Sequence, residues 1–317
     1  MNAPAPFPRH VAVLGAGAVG CYFGGMLARA GARVTLIGRP AHVEAIARDG
    51  LVVVRDSGET RIRVAATTDD DAVRDADLVL FCVKSTDTEA AARAIAAPLD
   101  PAARVVSLQN GVDNGARLAA VLPQPVYAAV VYVGTIMEGP GRVRHVGRGD
   151  LVLGVPRAAR GRGDASGDLA AIAATFERAG VPCPLSPDVE AALWTKLVIN
   201  CAFNAVSALG RARYARMAAS AGVRTVMEDA VREAIAVARA DDVALDEAAL
   251  MRAVWDVAAA MGQQFSSTAQ DVQRGKATEI DALNGYVVRR GAERGVPVPV
   301  NRTLHALVKL LEAAPRA

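Results

Sequence analysis

The strongest constraint on the fold is a glycine motif that directly follows an apolar run near the N-terminus. The run is HVAVL at 10–14, and the GxGxxG motif after it consists of Gly15, Ala16, Gly17, Ala18, Val19 and Gly20. In dinucleotide-binding turns the first glycine permits the tight bend, the second lets the backbone approach a pyrophosphate, and the third lets the helix pack on the strand. Because an apolar strand precedes the motif and a helical stretch follows it, the sequence predicts a βαβ unit that binds a dinucleotide.

Further runs of strand length continue the pattern at 33–38, 77–83, 103–109, 126–137, 141–147 and 150–155. Such runs, separated by helical stretches, are typical of parallel strands joined by crossover helices. Residues 51–55 and 60–65 flank a turn sequence and predict a hairpin. Beyond a proline-rich connector the periodicity is helical almost throughout. We therefore expect an α/β fold with an N-terminal Rossmann-type parallel-sheet domain (1–186), followed by an all-helical C-terminal domain (187–317).

Composition and charge exclude several classes of partner. The net charge is only +3, and no block of like charges stands out, so we expect no nucleic-acid or membrane partner. No apolar run approaches the ~20 residues of a membrane span, and a cleaved leader would remove residues that the fold needs, so the cytoplasm is the expected location. The four cysteines and four histidines are scattered, and we expect no protein-bound metal. The oligomeric state stays open, with a homodimer formed through the helical domain as one option.

The residue after the second predicted strand distinguishes between the two nicotinamide dinucleotides. Sites for NAD usually place a carboxylate there to hold the ribose 2′-hydroxyl, whereas this chain has Gly38 and Arg39. A guanidinium can bind a 2′-phosphate through two hydrogen bonds, so the sequence favours NADP(H). A solvated surface arginine is the alternative interpretation of Arg39.

Two polar residues follow later strands, at the carboxyl ends where open α/β sheets bind ligands. Lys84 comes after LFCV, and Asn110 lies in LQNG. Each is a candidate site residue. The alternatives are a merely solubilising lysine and an ordinary turn.

The second half carries a polar stripe on an apolar helix. Lys196, Asn200 and Asn204 recur at i, i+4 and i+8 within LWTKLVINCAFNAVSAL (193–209), so they share one helix face. Burying these groups is costly unless each finds partners, which suggests a site. A lysine in such surroundings can act as a proton donor near neutral pH. The alternative is a structural polar network between helices.

A second cluster contains Ser267, which follows Ser266, and Glu279. Taken alone, Glu279 is better explained as an acidic residue at a helix start.

Taken in order, these motifs resemble the ketopantoate reductase (2-dehydropantoate 2-reductase) family. The resemblance covers nearly the whole chain and rests on GAGAVG, the arginine after the second strand, VKS, QNG, GRVRHVG, LWTKLVINCAFN, SSTAQDVQRGKATEIDALNG and PVPVN. It implies a Rossmann domain followed by a helical domain, with a small 2-oxo acid bound between them. Two positions depart from the usual pattern: Thr268 stands where the family commonly has Met, and Gln264 where some members have the shorter Asn.

The resemblance also implies a role for each candidate residue. Lys196 would be the general acid, and Glu279 would lie beside it. The implied substrate-binding residues are Asn110, Asn200, Asn204 and Ser267. The implied cofactor-binding residues are Gly15, Ala16, Gly17, Ala18, Val19, Gly20, Arg39, Lys84 and Asn110.

The expected function is NADPH-dependent reduction of ketopantoate to pantoate in pantothenate biosynthesis. One alternative keeps the scaffold and changes the 2-oxo acid. The other is a non-catalytic NADP(H)-binding regulator, although retention of both Lys196 and Glu279 argues against it.

Overall fold

The computed structural model describes residues 8–162 and 165–313, and these form two compact units. The first unit comprises the described residues up to Gln109 together with Asp113–Val189. The second comprises Asn110–Val112 and the described residues from Glu190 onward. The three residues 110–112 therefore group with the second unit, although the chain on either side of them belongs to the first.

A nine-stranded sheet forms the centre of the first unit. The strands are β1 (Val11–Leu14), β2 (Val34–Ile37), β3 (Leu51–Arg55), β4 (Gly58–Ile62), β5 (Ala65–Thr67), β6 (Leu78–Phe81), β7 (Arg104–Ser107), β8 (Val126–Gly139) and β9 (Arg142–Gly154). Their order is β4-β3-β9-β8-β7-β6-β1-β2-β5. Neighbouring strands are parallel throughout the series β8-β7-β6-β1-β2-β5. The β3–β4 and β8–β9 pairs are antiparallel.

Helices cover both faces of this sheet. They are α1 (Ala18–Arg29), α2 (Pro40–Asp49), α3 (Thr88–Ala96), α4 (Asn114–Val121) and α5 (Ala165–Arg178). In β1, Val11 and Val13 contribute to one buried apolar cluster, and Ala12 and Leu14 contribute to another. Because the strand is buried on both sides, its sequence is a continuous apolar run without polar alternation.

The predicted hairpin is present, but its second strand begins earlier in the chain than expected. Arg55 pairs with Gly58, so only two residues form the turn, and Gly58 adopts a φ of +115°. The second hairpin strand is therefore 58–62, which corrects the expected 60–65. Residues 65–67 form β5, which pairs with β2 in parallel. Among the residues of this turn the positive φ falls on Gly58, the first residue of the second strand, where glycine adopts it without strain.

The secondary-structure elements in the described part of the second unit are all helices, joined by loops. Its helices are α6 (Val189–Gly210), α7 (Tyr214–Ala218), α8 (Ala221–Ala240), α9 (Glu247–Ala260), α10 (Ser267–Gln273), α11 (Asn284–Arg294) and α12 (Pro299–Ala313). Asp246 caps the start of helix α9, because its side chain accepts a hydrogen bond from the Ala249 amide over 3.0 Å. The sheet unit and the helical unit together confirm the predicted fold class.

Helix α6 corrects one expectation from the sequence. By length and mean hydropathy it could span a membrane, although no apolar run was expected to approach that length. Within the structure 61% of its most apolar stretch is buried. Leu197, Val198 and Cys201 belong to the main apolar cluster of the second unit, as in the core helix of a globular domain.

Candidate functional site

The glycine loop between β1 and α1 has two positions at which only glycine fits. Gly15 adopts a φ of +109°, and a Cβ there would lie 2.7 Å from backbone atoms of Cys82 and Val83. A Cβ on Gly20 would lie 2.1 Å from the Gly15 carbonyl oxygen. Both glycines are therefore required by the packing of the loop, whatever it binds.

Gly17 differs, because a Cβ there would meet nothing within 4 Å. It is the N-cap of α1, no side chain caps the helix, and no acidic residue lies in the first turn. The first N–H groups of a helix lack partners within the helix and favour anions. The open space at Gly17 and the uncapped helix start fit a dinucleotide pyrophosphate.

Gly38 is a further position at which a side chain would not fit. The sequence alone marks it only as the neighbour of Arg39. A Cβ on Gly38 would lie 2.5 Å from the Ala16 Cβ. The amides of Gly15 and Ala16 both donate to the Ile37 carbonyl over 2.9 Å, so the glycine loop rests on the end of β2. A glycine directly after the second strand of a GxGxxG unit is the signal that could have revealed this contact.

The first unit brings three predicted cofactor segments to one edge of its sheet. Leu14 is paired with both Ile37 and Phe81, so the segments that follow β1, β2 and β6 begin side by side. These segments carry the glycine loop, the exposed Arg39 and the half-buried Lys84. Arg39 is also the N-cap residue of α2.

In the second unit, one amide connects the two predicted catalytic residues. The Lys196 Nζ donates to the Asn110 Oδ1 over 2.9 Å. The Asn110 Nδ2 donates to the Glu279 Oε2 over 3.0 Å. All three side chains are half-buried, so the array is accessible from solvent on at least one side.

The polar stripe of α6 lies on one helix face, as predicted, but its members differ in exposure. Lys196 and Asn200 are half-buried, whereas Asn204 is only 3% exposed. The Asn204 Nδ2 lies 3.3 Å from the hydroxyls of both Ser267 and Thr268. The Asn204 amide nitrogen therefore already forms hydrogen bonds that join α6 to the start of α10.

The two neighbouring serines have different surroundings. Ser266 is buried and caps α10, because its Oγ accepts from the Ala269 amide and donates to the Asn204 carbonyl. Ser267 is exposed and presents its hydroxyl beside Asn204. Only Ser267 could therefore reach a ligand without disturbing the helix start.

The segment that carries Glu279 is fixed to α12. The Thr278 amide donates to the Glu312 carboxylate over 2.6 Å. The Asp281 carboxylate accepts from His305 over 2.6 Å and from Lys309 over 2.9 Å. Burial alone would raise the pKa of Asp281, but the hydrogen bonds from Lys309 and His305 hold it below its usual value.

Comparison with known proteins places these features in a family. The family model described as ketopantoate reductase PanE/ApbA matches residues 11–158, and the model of its C-terminal part matches residues 188–312. A 2-dehydropantoate 2-reductase of Halobacterium salinarum is 39% identical over 310 residues, covering 96% of this chain and 99% of the relative.

Solved structures are similar over the same length. A PanE/ApbA family ketopantoate reductase from Ralstonia eutropha JMP134 is 52% identical with a TM-score of 0.88, covering 96% of this chain and 98% of that one. A D-mandelate dehydrogenase in a ternary structure with NADH and anilino(oxo)acetate is 25% identical with a TM-score of 0.87, at the same coverage. These matches confirm the resemblance drawn from the ordered motifs.

Proposed function

We propose that this chain, which belongs to the ketopantoate reductase family, catalyses the NADPH-dependent reduction of 2-dehydropantoate to pantoate. Its membership makes it an oxidoreductase of the kind that acts on a CH–OH group and its ketone. We assign dinucleotide binding to the N-terminal domain (1–186) and substrate chemistry to the helical domain (187–317) together with Asn110. The observation that carries the proposal is the hydrogen-bonded array of Lys196, Asn110 and Glu279.

Lys196 is the proton donor in this proposal. A ketone that becomes an alkoxide needs a positive charge or a donor directed at its oxygen. The Lys196 ammonium has three N–H donors, and the Asn110 Oδ1 accepts one of them. The bond to Asn110 restrains the flexible side chain, and Lys196 would give its proton to the C2 oxygen.

Glu279 sets the orientation of Asn110. Its carboxylate can only accept, so the NH₂ end of the amide faces Glu279 and the oxygen faces Lys196. If the amide were reversed, it would present its NH₂ group to an ammonium and its oxygen to a carboxylate. Glu279 therefore keeps the acceptor of Asn110 directed at Lys196.

The remaining polar groups suit the other end of a hydroxylated 2-oxo acid. We assign Asn200 and the Ser267 hydroxyl to the substrate carboxylate and hydroxyl groups, because both side chains have exposed area. Asn204 belongs to the same face and would support Ser267 through its hydrogen bond. Asn110 would contact both the substrate and the nicotinamide end of the cofactor.

The cofactor would be held by the glycine loop together with Arg39 and Lys84. The open space at Gly17 and the uncapped start of α1 fit the pyrophosphate, and the Arg39 guanidinium would pair with a 2′-phosphate. NADPH, when bound, supplies the hydride for the C2 carbon. The related D-mandelate dehydrogenase is described with NADH, so the preference for NADPH is proposed from Arg39 alone.

A second candidate function keeps the reaction and changes the substrate. It is favoured by Thr268, which is buried against Asn204 in this chain and whose hydroxyl shares the Asn204 amide with Ser267. The D-mandelate dehydrogenase is described with anilino(oxo)acetate, a 2-oxo acid derivative of different shape on a similar fold. A non-catalytic regulator would not need the proton donor that the array of Lys196, Asn110 and Glu279 provides.

The test is turnover by the purified chain. NADPH or NADH would be offered with ketopantoate and with a panel of other 2-oxo acids, and loss of reduced cofactor would be followed by absorbance. We expect the highest kcat/KM with ketopantoate and NADPH. Higher kcat/KM for another 2-oxo acid would establish the second candidate, and binding of NADPH without turnover of any acid would contradict the enzyme assignment.

A further inference from the structure

Gln109 is a buried amide that the proposed mechanism does not use, although it stands beside Asn110 in the QNG motif. It directly follows β7 and Leu108, and it is only 6% exposed. Its Nε2 donates to the Val83 carbonyl over 3.1 Å and to the Thr88 hydroxyl over 2.8 Å. Its Oε1 accepts from the Ser107 hydroxyl over 3.1 Å. One N–H donor is therefore directed at the loop that follows β6, and the other at the first residue of α3, where that loop ends.

The same loop is held at further points from the start of α4. The Asn114 Nδ2 donates to the Ser85 Oγ over 3.3 Å, and its Oδ1 lies 3.1 Å from the Thr88 hydroxyl. The Arg117 Nη2 donates to the Ser85 carbonyl over 2.7 Å. Gln109 is the member of this network that reaches Val83, the residue before Lys84.

Val83 also forms part of the wall behind the glycine loop. A Cβ on Gly15 would lie 2.7 Å from the Val83 nitrogen, and the Cys82 amide donates to the Leu14 carbonyl over 2.8 Å. The space around Gly15 is thus set by the position of residues 82–83. A shift of the Val83 backbone would change the shape of the glycine loop and the position of Lys84 together.

We propose that Gln109 is a positioning residue for the dinucleotide site, acting through Val83 on the glycine loop and on Lys84. The inference rests on the proposed function only in taking the glycine loop as the dinucleotide site. The amide is suited to the role because it supplies two donors in a fixed plane, one for a backbone carbonyl and one for a hydroxyl. A hydrophobic side chain of similar length fills the space but leaves the Val83 carbonyl and the Thr88 hydroxyl without this donor.

The experiment compares Gln109→Met with Gln124→Met in the full chain. Gln124 is a matched control because it is 2% exposed, and its Nε2 likewise makes two hydrogen bonds, to the backbone carbonyls of Leu99 and Asp100. It precedes β8 and so lies at the opposite end of the parallel strands from Gln109. Each variant removes a buried amide donor, so a comparable loss of Tm is expected for both.

The readout is the Kd for NADPH, measured by fluorescence titration without any 2-oxo acid. We expect Gln109→Met to raise Kd by about tenfold or more and Gln124→Met to change it less than about twofold. Thr88→Val, which removes one of the two acceptors, should raise Kd by less, and combining it with Gln109→Met should add little further. An unchanged Kd for Gln109→Met, or equal effects of both glutamine variants, would overturn the inference. Failure of the wild-type chain to bind NADPH or NADH would instead overturn the proposed function, and this inference with it.

Discussion

The Lys196 Nζ lies 2.9 Å from the Asn110 Oδ1, although the two residues are 86 positions apart in the chain. The same amide donates to Glu279, which is 169 positions from Asn110 in the chain, over 3.0 Å. One side chain thus fixes the relative position of an ammonium and a carboxylate. Within the helical unit, Asn110 is supplied by the short segment 110–112. The array can therefore be tested by removing the amide alone.

Asn110→Ala should lower kcat with ketopantoate by about 10- to 100-fold, because it removes the amide that links Lys196 to Glu279 and helps to orient the lysine. The measurement is steady-state kinetics at saturating NADPH. Asn110→Asp should not restore activity, since it places a second carboxylate against Glu279. A kcat within twofold of wild type for Asn110→Ala would show that the amide does not organise the site.

Gly17→Ala should impair NADPH binding, whereas Gly20→Ala should lower thermal stability. The Gly17 position has space for a methyl group, so that variant should keep its Tm and lose NADPH affinity by about tenfold, because the methyl occupies space left for the pyrophosphate. In Gly20→Ala the added Cβ would lie 2.1 Å from the Gly15 carbonyl oxygen, so its Tm should fall. Thermal melts and NADPH titrations separate the two effects. Normal NADPH binding by Gly17→Ala would contradict the assignment of the open space.

Arg39→Ala should raise the KM for NADPH by about 10- to 100-fold and leave the KM for NADH within about twofold, because only the former carries a 2′-phosphate. Arg48→Ala is the control, since Arg48 is an exposed arginine on the same helix and pairs with Asp49. An equal rise in KM for NADPH and for NADH would mean that Arg39 does not bind the 2′-phosphate.

The ion pair between Glu89 and Arg117 should make the free energy of unfolding depend on pH. Its hydrogen bonds with Arg117 hold its pKa at about 2, below the ordinary value of 4.5. A carboxylate with a lowered pKa contributes stability above its unfolded pKa, and this is lost as pH falls from about 4.5 toward about 2. The side chain is 39% exposed, so solvent screens the pair and the contribution is modest.

Glu89→Gln should therefore lower Tm at neutral pH, and the difference from wild type should shrink as pH falls below about 4.5. Glu44→Gln, which removes an exposed carboxylate from α2, controls for the change in net charge. A Tm difference that stays constant across this range would show that the Arg117 pair does not contribute through ionised Glu89.

The parts of the fold that depend on local pattern were predictable from the sequence. The β1–Gly15–α1 unit follows from an apolar strand and three glycines at fixed spacing, and the face shared by Lys196 and Asn204 follows from helical periodicity.

Contacts between distant segments were not predictable from spacing. The glycine directly after β2 signals a close approach of some kind, but spacing does not identify Ala16 as the residue that lies against Gly38. The sharing of Asn204 between Ser267 and Thr268 depends on how α10 packs on α6, which periodicity does not give. The sequence pattern predicts the second hairpin strand two residues late, because a glycine is typical of a turn, whereas Gly58 is the first residue of β4.

The central claim is that Lys196 protonates the C2 oxygen, and the most direct test is kcat/KM for ketopantoate in Lys196→Ala with NADPH saturating. Lys276→Met is the control, because Lys276 is an exposed lysine of the same unit. We predict a loss of at least about 100-fold for Lys196→Ala, with an unchanged Kd for NADPH, and less than about twofold for the control. A loss of less than about tenfold, at normal NADPH binding and unchanged Tm, would contradict the role of Lys196 as general acid.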